Sequence, residues 1–185
     1  MCGAGLYFSG VDAYLEQHCR VTGNYLSDQV GGMGTGIYSS GGSLHLDNCE
    51  IDNNIRVLPH NLYTQYSYTT YGGGVYKTGG SIDFNGCRIH DNIVRDAPYT
   101  GSELKGGGAF LENLASVNIE PGLKIFNHTG YAQGGGIYIN NTNTSSPVTV
   151  FTSGETDDVN NYAEIFNNTV KDGDYYGGGD PVRRL

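Results

Sequence analysis

Residues Gly34 to Ile55 recur 38 positions later. GTGIYSSGGSLHLDNCEIDNNI realigns without a gap when Gly36 is set on Gly74, which places Cys49 on Cys87 and Asn54 on Asn92. Looser copies begin at Gly5-Leu6-Tyr7, Gly108-Ala109-Phe110 and Gly136-Ile137-Tyr138, so that repeats start near residues 3, 34, 72, 106 and 134, with a truncated one at 177. A unit of this size cannot bury its own apolar face and must stack on its neighbours. The anchor glycines are 31, 38, 34, 28 and 43 residues apart, and so uneven a period around a fixed core implies variable loops. The chain of 185 residues is therefore expected to be one stacked domain.

Each copy contains three short runs: glycine-apolar-aromatic, then apolar-x-apolar (Leu44/Leu46, Ile82/Phe84, Val117/Ile119, Val148/Val150), then a six-residue unit closing on Asn. The third unit is the most regular, from Cys19 to Asn24, Cys49 to Asn54, Cys87 to Asn92, Leu123 to His128 and Ala163 to Asn168. Alternation over so few residues predicts strands and leaves no room for a helix. Glycine at 30 residues is about twice the usual share of roughly 7 %, yet prolines number only 5 and no G-X-Y period exists, which excludes collagen. The fold expected is all-β: about five coils of three short parallel strands.

The GGG-[IV]-Y starts, the C-x-I-x-x-N unit and the IFNN of Ile165 to Asn168 resemble the pectate-lyase-like right-handed parallel β-helix superfamily. The likeness is nearest to the GG[AG][IV] and FxxN repeats of polymorphic outer-membrane, autotransporter passenger-type proteins. That resemblance implies a secreted or cell-surface segment with an adhesive or structural role, and it makes a polysaccharide lyase or hydrolase the alternative. A polygalacturonase-like chain would carry N-T-D, D-D, G-H-G and R-I-K in order, of which only Asp157-Asp158 is present. The epimerase-like D-P-H-E is absent, since Asp180-Pro181 is followed by Val182, and no Trp is available to stack on sugar.

In a stack, equivalent positions lie about 4.8 Å apart and form columns. The column Asn24, Asn54, Asn92, His128, Asn168 reads as an inward amide ladder that satisfies turn backbone. Cys19, Cys49 and Cys87 form a second inward column, expected as reduced thiols acting as small apolar groups. Arg20, Glu50, Arg88, Lys124 and Glu164 form an outward column of nearly alternating sign. Beside it Asp52 and His90 become rung neighbours, and on the second strand His45 aligns with Asp83; these four are the acid and base groups if the chain is an enzyme. Tyr7, Tyr38, Tyr76, Phe110 and Tyr138 read as an outward aromatic stripe.

The connections expected to vary are 25–35, 55–73, 93–107, 129–135 and 169–178. The longest holds Arg56, Pro59, His60, Tyr63, Tyr66, Tyr68 and Tyr71, a composition suited to recognition, so these tyrosines with Tyr38 and Tyr76 are the candidate binding residues. Asp172, Asp174 and Asp180 are a fragment of a calcium loop lacking its distal Glu, so no metal or cofactor is expected. Asn127, Asn140, Asn143 and Asn167 are N-x-[ST] acceptors in an exported eukaryotic protein. A formal charge of −9 with scattered basic residues excludes a nucleic-acid partner, and no apolar run approaches a membrane span. Met1-Cys2-Gly3 has no leader character, and repeats cut at both ends suggest a longer array or end-to-end self-association. The partner expected is a glycan or a cell-surface protein.

Overall fold

The computed structural model describes residues 2–27, 32–57, 69–95, 103–131, 133–142, 149–152, 163–171 and 182–184. Every element among them is a strand. The first sheet joins β1 (Leu6–Ser9), β5 (Ile37–Ser40), β10 (Val75–Thr78), β15 (Ala109–Glu112) and β19 (Ile137–Asn140). The second joins β2 (Ala13–Leu15), β6 (Ser43–Asp47), β11 (Ser81–Asn85), β16 (Ser116–Ile119) and β20 (Thr149–Thr152). The third joins β3 (Arg20–Thr22), β7 (Glu50–Asp52), β12 (Arg88–His90), β17 (Lys124–Phe126) and β21 (Glu164–Phe166). A fourth joins β4 (Tyr25–Ser27), β8 (Ile55–Val57), β13 (Ile93–Arg95), β18 (Thr129–Tyr131) and β22 (Thr169–Lys171). A small fifth sheet pairs β9 (Thr69–Tyr71) with β14 (Glu103–Lys105).

Each repeat thus gives one strand to each of four sheets, in the same order, and these pairings are parallel. The exception is β23 (Val182–Arg184), which runs antiparallel along β22. Alternate residues of the first three strands point into one apolar core. Ile37, Leu44, Ile51, Val75, Ile82, Ile89, Ala109, Val117 and Ile125 are all fully buried within it. The registers Leu44↔Ile82↔Val117 and Glu50↔Arg88↔Lys124↔Glu164 match the columns read from sequence.

Two expectations change. Each repeat has four strands rather than three, because the segment after the ladder residue is itself paired. Only its middle residue is buried, and this is Leu26, Arg56 or Val94, so no apolar alternation marks it. Arg56 therefore belongs to β8 and not to a loop. The second correction is a slip of two residues in the last repeat: Val117 pairs with Val150 and Ile119 with Thr152, not with Val148 and Val150.

Corner chemistry explains the fixed parts of the repeat. The residue before the ladder position is left-handed in each copy, at Gly23, Asn53, Asp91, Asn127 and Asn167, with φ between 52° and 68° as at Asn127 (57°) and Gly23 (68°). Gly and Asn adopt that conformation at least cost. The last glycine of each glycine run has another reason: a Cβ on Gly74 would sit 2.6 Å from the Gly108 carbonyl and 2.9 Å from Nδ2 of Asn92.

Candidate functional site

The ladder is continuous. Nδ2 of Asn24 donates to Oδ1 of Asn54 at 2.8 Å, and Nδ2 of Asn54 donates to Oδ1 of Asn92 at 2.9 Å. Each amide also donates back one rung, Asn54 to the Val21 carbonyl (3.0 Å), Asn92 to Ile51 (2.9 Å) and Asn168 to Ile125 (3.1 Å). Backbone N–H groups of Asn24, Asn54 and His128 are taken up by the Oδ1 of the next ladder residue. His128 performs both parts with a ring: Nδ1 accepts the Asn92 N–H at 3.2 Å, so Nε2 carries the proton and donates to the Ile89 carbonyl at 3.0 Å. Burial pushes its pKa down to about 4. The ring is a neutral substitute for an amide, with no nitrogen left for other chemistry.

On the outer face of the third sheet, the expected Asp52–His90 pair does not form although the two are rung partners. Asp52 is fully buried and held by Arg20, through Nε at 2.9 Å and Nη2 at 2.7 Å. Burial raises its pKa, but hydrogen bonds from Arg20, Asn53 and Thr22 outweigh that and keep the carboxyl below its usual value. His90 turns instead to Glu50 (Nε2, 2.9 Å) and to Asp91 (Nδ1, 2.7 Å), and stacks on Phe126 at 4.8 Å. A ring with a carboxylate on each nitrogen has none to offer a substrate.

The second sheet differs. Its outward column runs Tyr14, His45, Asp83, Asn118. Nδ1 of His45 meets Oδ2 of Asp83 at 2.5 Å, and the Tyr14 ring lies parallel to the imidazole at 4.5 Å. Tyr14 is 62 % exposed, and His45 and Asp83 are about one-third exposed, at 33 % and 30 %. Hydroxyl and amide rows flank them: Ser81 donates to Ser43 at 3.0 Å, and Asn85 to Asp47 at 2.6 Å. These side chains form the open, half-solvated face of the described stack.

The aromatic column is also continuous, with ring spacings of 4.9, 5.3, 5.5 and 5.2 Å from Tyr7 through Tyr38, Tyr76 and Phe110 to Tyr138. It is not an open stripe. Tyr71 lies over its centre, 4.2 Å from Phe110, and Tyr76 and Phe110 are buried. Tyr76 donates to Glu112 at 2.6 Å, and burial together with that bond pushes its phenol pKa up beyond the ordinary range. Tyr38 keeps partial exposure. Tyr63, Tyr66, Tyr68, Asp172, Asp174 and Asp180 lie outside the described residues.

Cys19, Cys49 and Cys87 are free thiols in one column, with Cys49 donating to the Leu15 carbonyl (3.0 Å) and Cys87 to that of Leu46 (3.1 Å). The neighbouring Cys87 thiol and burial push the Cys49 thiol up. Among the described residues no cluster of His, Cys, Asp or Glu has the arrangement of a metal site. Two buried cations were missed by sequence reasoning. Lys77 is enclosed on the inner face of β10, its Nζ donating to the carbonyls of Gly41 (2.9 Å), Gly42 (3.1 Å) and Gly79 (2.5 Å), and desolvation lowers its pKa to about 8. Arg56 donates to the Leu26 carbonyl at 3.1 Å. The sequence signal for Lys77 was its place two residues after an inward Val75 on a short strand.

Compared with family models, with curated proteins and with solved structures, the chain matches none.

Proposed function

We propose that the chain is a segment of a right-handed parallel β-helix of the pectate-lyase-like kind, secreted or displayed at a cell surface, which binds a neutral glycan without cleaving it. Handedness follows from the general rule that connections between parallel strands of one sheet are right-handed. The observation carrying the binding reading is the outer face of the second sheet. It offers an exposed Tyr14 ring on His45, with Ser, Asn and carboxylate groups repeating at rung spacing, and a flat row of hydrogen-bonding groups beside an aromatic suits a run of sugar rings. Asp47, Asp83 and Glu120 on that face, with the net charge of −9, disfavour acidic polysaccharides. Acid and base work is disfavoured by the pairing of His90 and Asp52 inside ion networks.

A neutral and an acidic glycan series immobilised side by side test the reading. Binding confined to the neutral series and lost in Tyr14→Ala, with an unchanged unfolding midpoint, is expected. Retention of binding in Tyr14→Ala overturns the assigned face. The His45–Asp83 pair is the one arrangement that favours an enzyme, because Asp83 holds Nδ1 on an open face. Release of reducing or unsaturated ends by the chain, abolished in His45→Ala, would replace binding with catalysis.

A further inference from the structure

Tyr76 has no part in the glycan reading, which uses the second sheet. Its ring lies on the outer face of the first sheet, between Tyr38 at 5.3 Å and Phe110 at 5.5 Å, with Tyr71 at 6.1 Å, and all three neighbours are parallel to it within 8°. The side chain is only 3 % exposed, yet its phenol donates to a carboxylate, Oε2 of Glu112 at 2.6 Å. Asn140 holds the other oxygen of that carboxylate at 3.2 Å. Burial and the bond to Glu112 push the phenol pKa up beyond the ordinary range, so the group stays protonated. An oxidised phenol is a strong acid and a buried unpaired charge is costly, so an electron leaves this ring only if its proton leaves too. We propose that the aromatic column carries oxidising equivalents inward from one-electron oxidants at the surface, and that they come to rest at Tyr76 as a neutral phenoxyl radical whose proton is held by Glu112.

The step balances within the site. The oxidant, a peroxyl-type radical or a high-potential metal complex, gains one electron. The Tyr76 O–H bond breaks, its proton forms a new bond to Oε2 of Glu112, and the ring keeps the unpaired electron. The phenol is neutral before and after, and the carboxylate becomes a neutral acid. A thiol or an enediol reductant that returns one electron reverses every part of the step.

Charges along the column decide where the oxidising equivalent stops. The Lys105 ammonium lies 5.9 Å from the Tyr71 ring and 5.3 Å from the Tyr138 ring, and a cation over a ring opposes loss of an electron from it. Phe110 has no hydroxyl proton to release. Tyr38 is half-buried and open to an oxidant, but a hydroxyl, Ser40, stands by its oxygen where Tyr76 has a carboxylate. It therefore passes the equivalent on. Lys77, the next residue of β10, turns to the opposite face, where the carbonyls of Gly41, Gly42 and Gly79 take its charge. Tyr76 is thus the ring where electron loss costs least, and its burial keeps the radical from coupling with another.

Photogenerated tris(bipyridyl)ruthenium(III), with persulfate as the final electron acceptor, supplies the oxidant for a test on the whole chain. Electron paramagnetic resonance of samples frozen at increasing delays reads the radical, and dityrosine fluorescence reads the coupling of exposed rings such as Tyr14. The expected result is a tyrosyl signal in the natural chain that outlasts dityrosine formation. It is absent from Tyr76→Phe, in which dityrosine rises. Glu112→Gln keeps every ring but removes the base, and it should shorten the lifetime by about tenfold or more, since hydrogen bonds to charged groups are worth over one decade in an equilibrium. Far-UV circular dichroism checks that the variants keep their strands, and Glu112→Gln decides alone if Tyr76→Phe does not fold. The inference is overturned by a natural chain without a long-lived signal, by a signal that survives in folded Tyr76→Phe, or by an unchanged lifetime in Glu112→Gln.

Discussion

Lowering the pH should break the ladder at His128 before it disturbs anything else in it. The ring is buried, accepts one bond at Nδ1 and donates one at Nε2, and its pKa stands at about 4 against the ordinary 6.5. Above the unfolded value both states hold a neutral imidazole, and no pH dependence arises. As pH falls from 6.5 towards 4 the unfolded chain takes up a proton that the folded chain refuses, so stability is lost across that window and the loss levels off below it. A displacement of this size at about 1.36 kcal/mol per unit amounts to roughly 3 kcal/mol, of which about 2.5 is already lost near pH 4.5. Asp52 does not confuse the window. Its carboxyl lies below the ordinary 3.8, so its contribution disappears only at lower pH. His128→Asn supplies the same acceptor and donor without a titrating group, in the surroundings that Asn92 already occupies beneath Gly74. Urea unfolding followed by far-UV circular dichroism, at neutral pH and near pH 4.5, reads the difference. The natural chain should lose its roughly 2.5 kcal/mol and the variant should lose less than about half of that. Equal losses in the two proteins would refute the assignment of a buried neutral ring.

Three further outcomes are expected. Gly74→Ala drives a Cβ to 2.6 Å from the Gly108 carbonyl, and it should lower stability by about 1 to 3 kcal/mol in the same unfolding assay. Lys77, lowered to about 8 from 10.5, is deprotonated in the folded chain before the unfolded one, so stability should rise as pH passes from 8 to 10.5, a rise absent in Lys77→Met. Timed alkylation should label the exposed Cys2 first and reach the buried Cys49 and Cys87 only when the chain unfolds, which mass spectrometry of the labelled peptides would follow.

Much of this arrangement could be read from the sequence because the same residue type recurs wherever one geometry recurs. The third strand was legible in full: its inward apolar positions, its Cys and Asn columns and its outward charges all sit in the expected register. The fourth strand was not, since one buried position per copy carries no period and is filled by Leu26, Arg56 or Val94. The pairing of His90 was equally hidden. Register placed it beside Asp52, but the outward side chains reach diagonally, and Arg20 claims Asp52 from the other side while Glu50 and Asp91 claim the ring. The burial of Tyr76 escaped prediction because its cover, Tyr71, comes from a strand paired outside the four main sheets.

The uneven period and the rigid core have one cause. Moving a strand by one residue would turn Ile51 and Ile89 outward and strand the amides of Asn54 and Asn92, so each strand keeps its register and added residues fall between strands, as they do on both sides of β20. Gly36 and Gly74 are bound to the same constraint, since the missing side chain makes room for the ladder amide and for the next repeat's carbonyl. Between strands the chain can differ in length from one repeat to the next, and pairing resumes before the glycine runs, where Met33 bridges Cys2 and Tyr71 and β9 pairs β14. The anchor glycines are therefore spaced by 31, 38, 34, 28 and 43 residues while the strands stay in register. Side chains on the outer face of the second sheet are fixed by the rungs beneath them, so on the proposed binding reading selectivity comes from which polar or aromatic residue each rung presents.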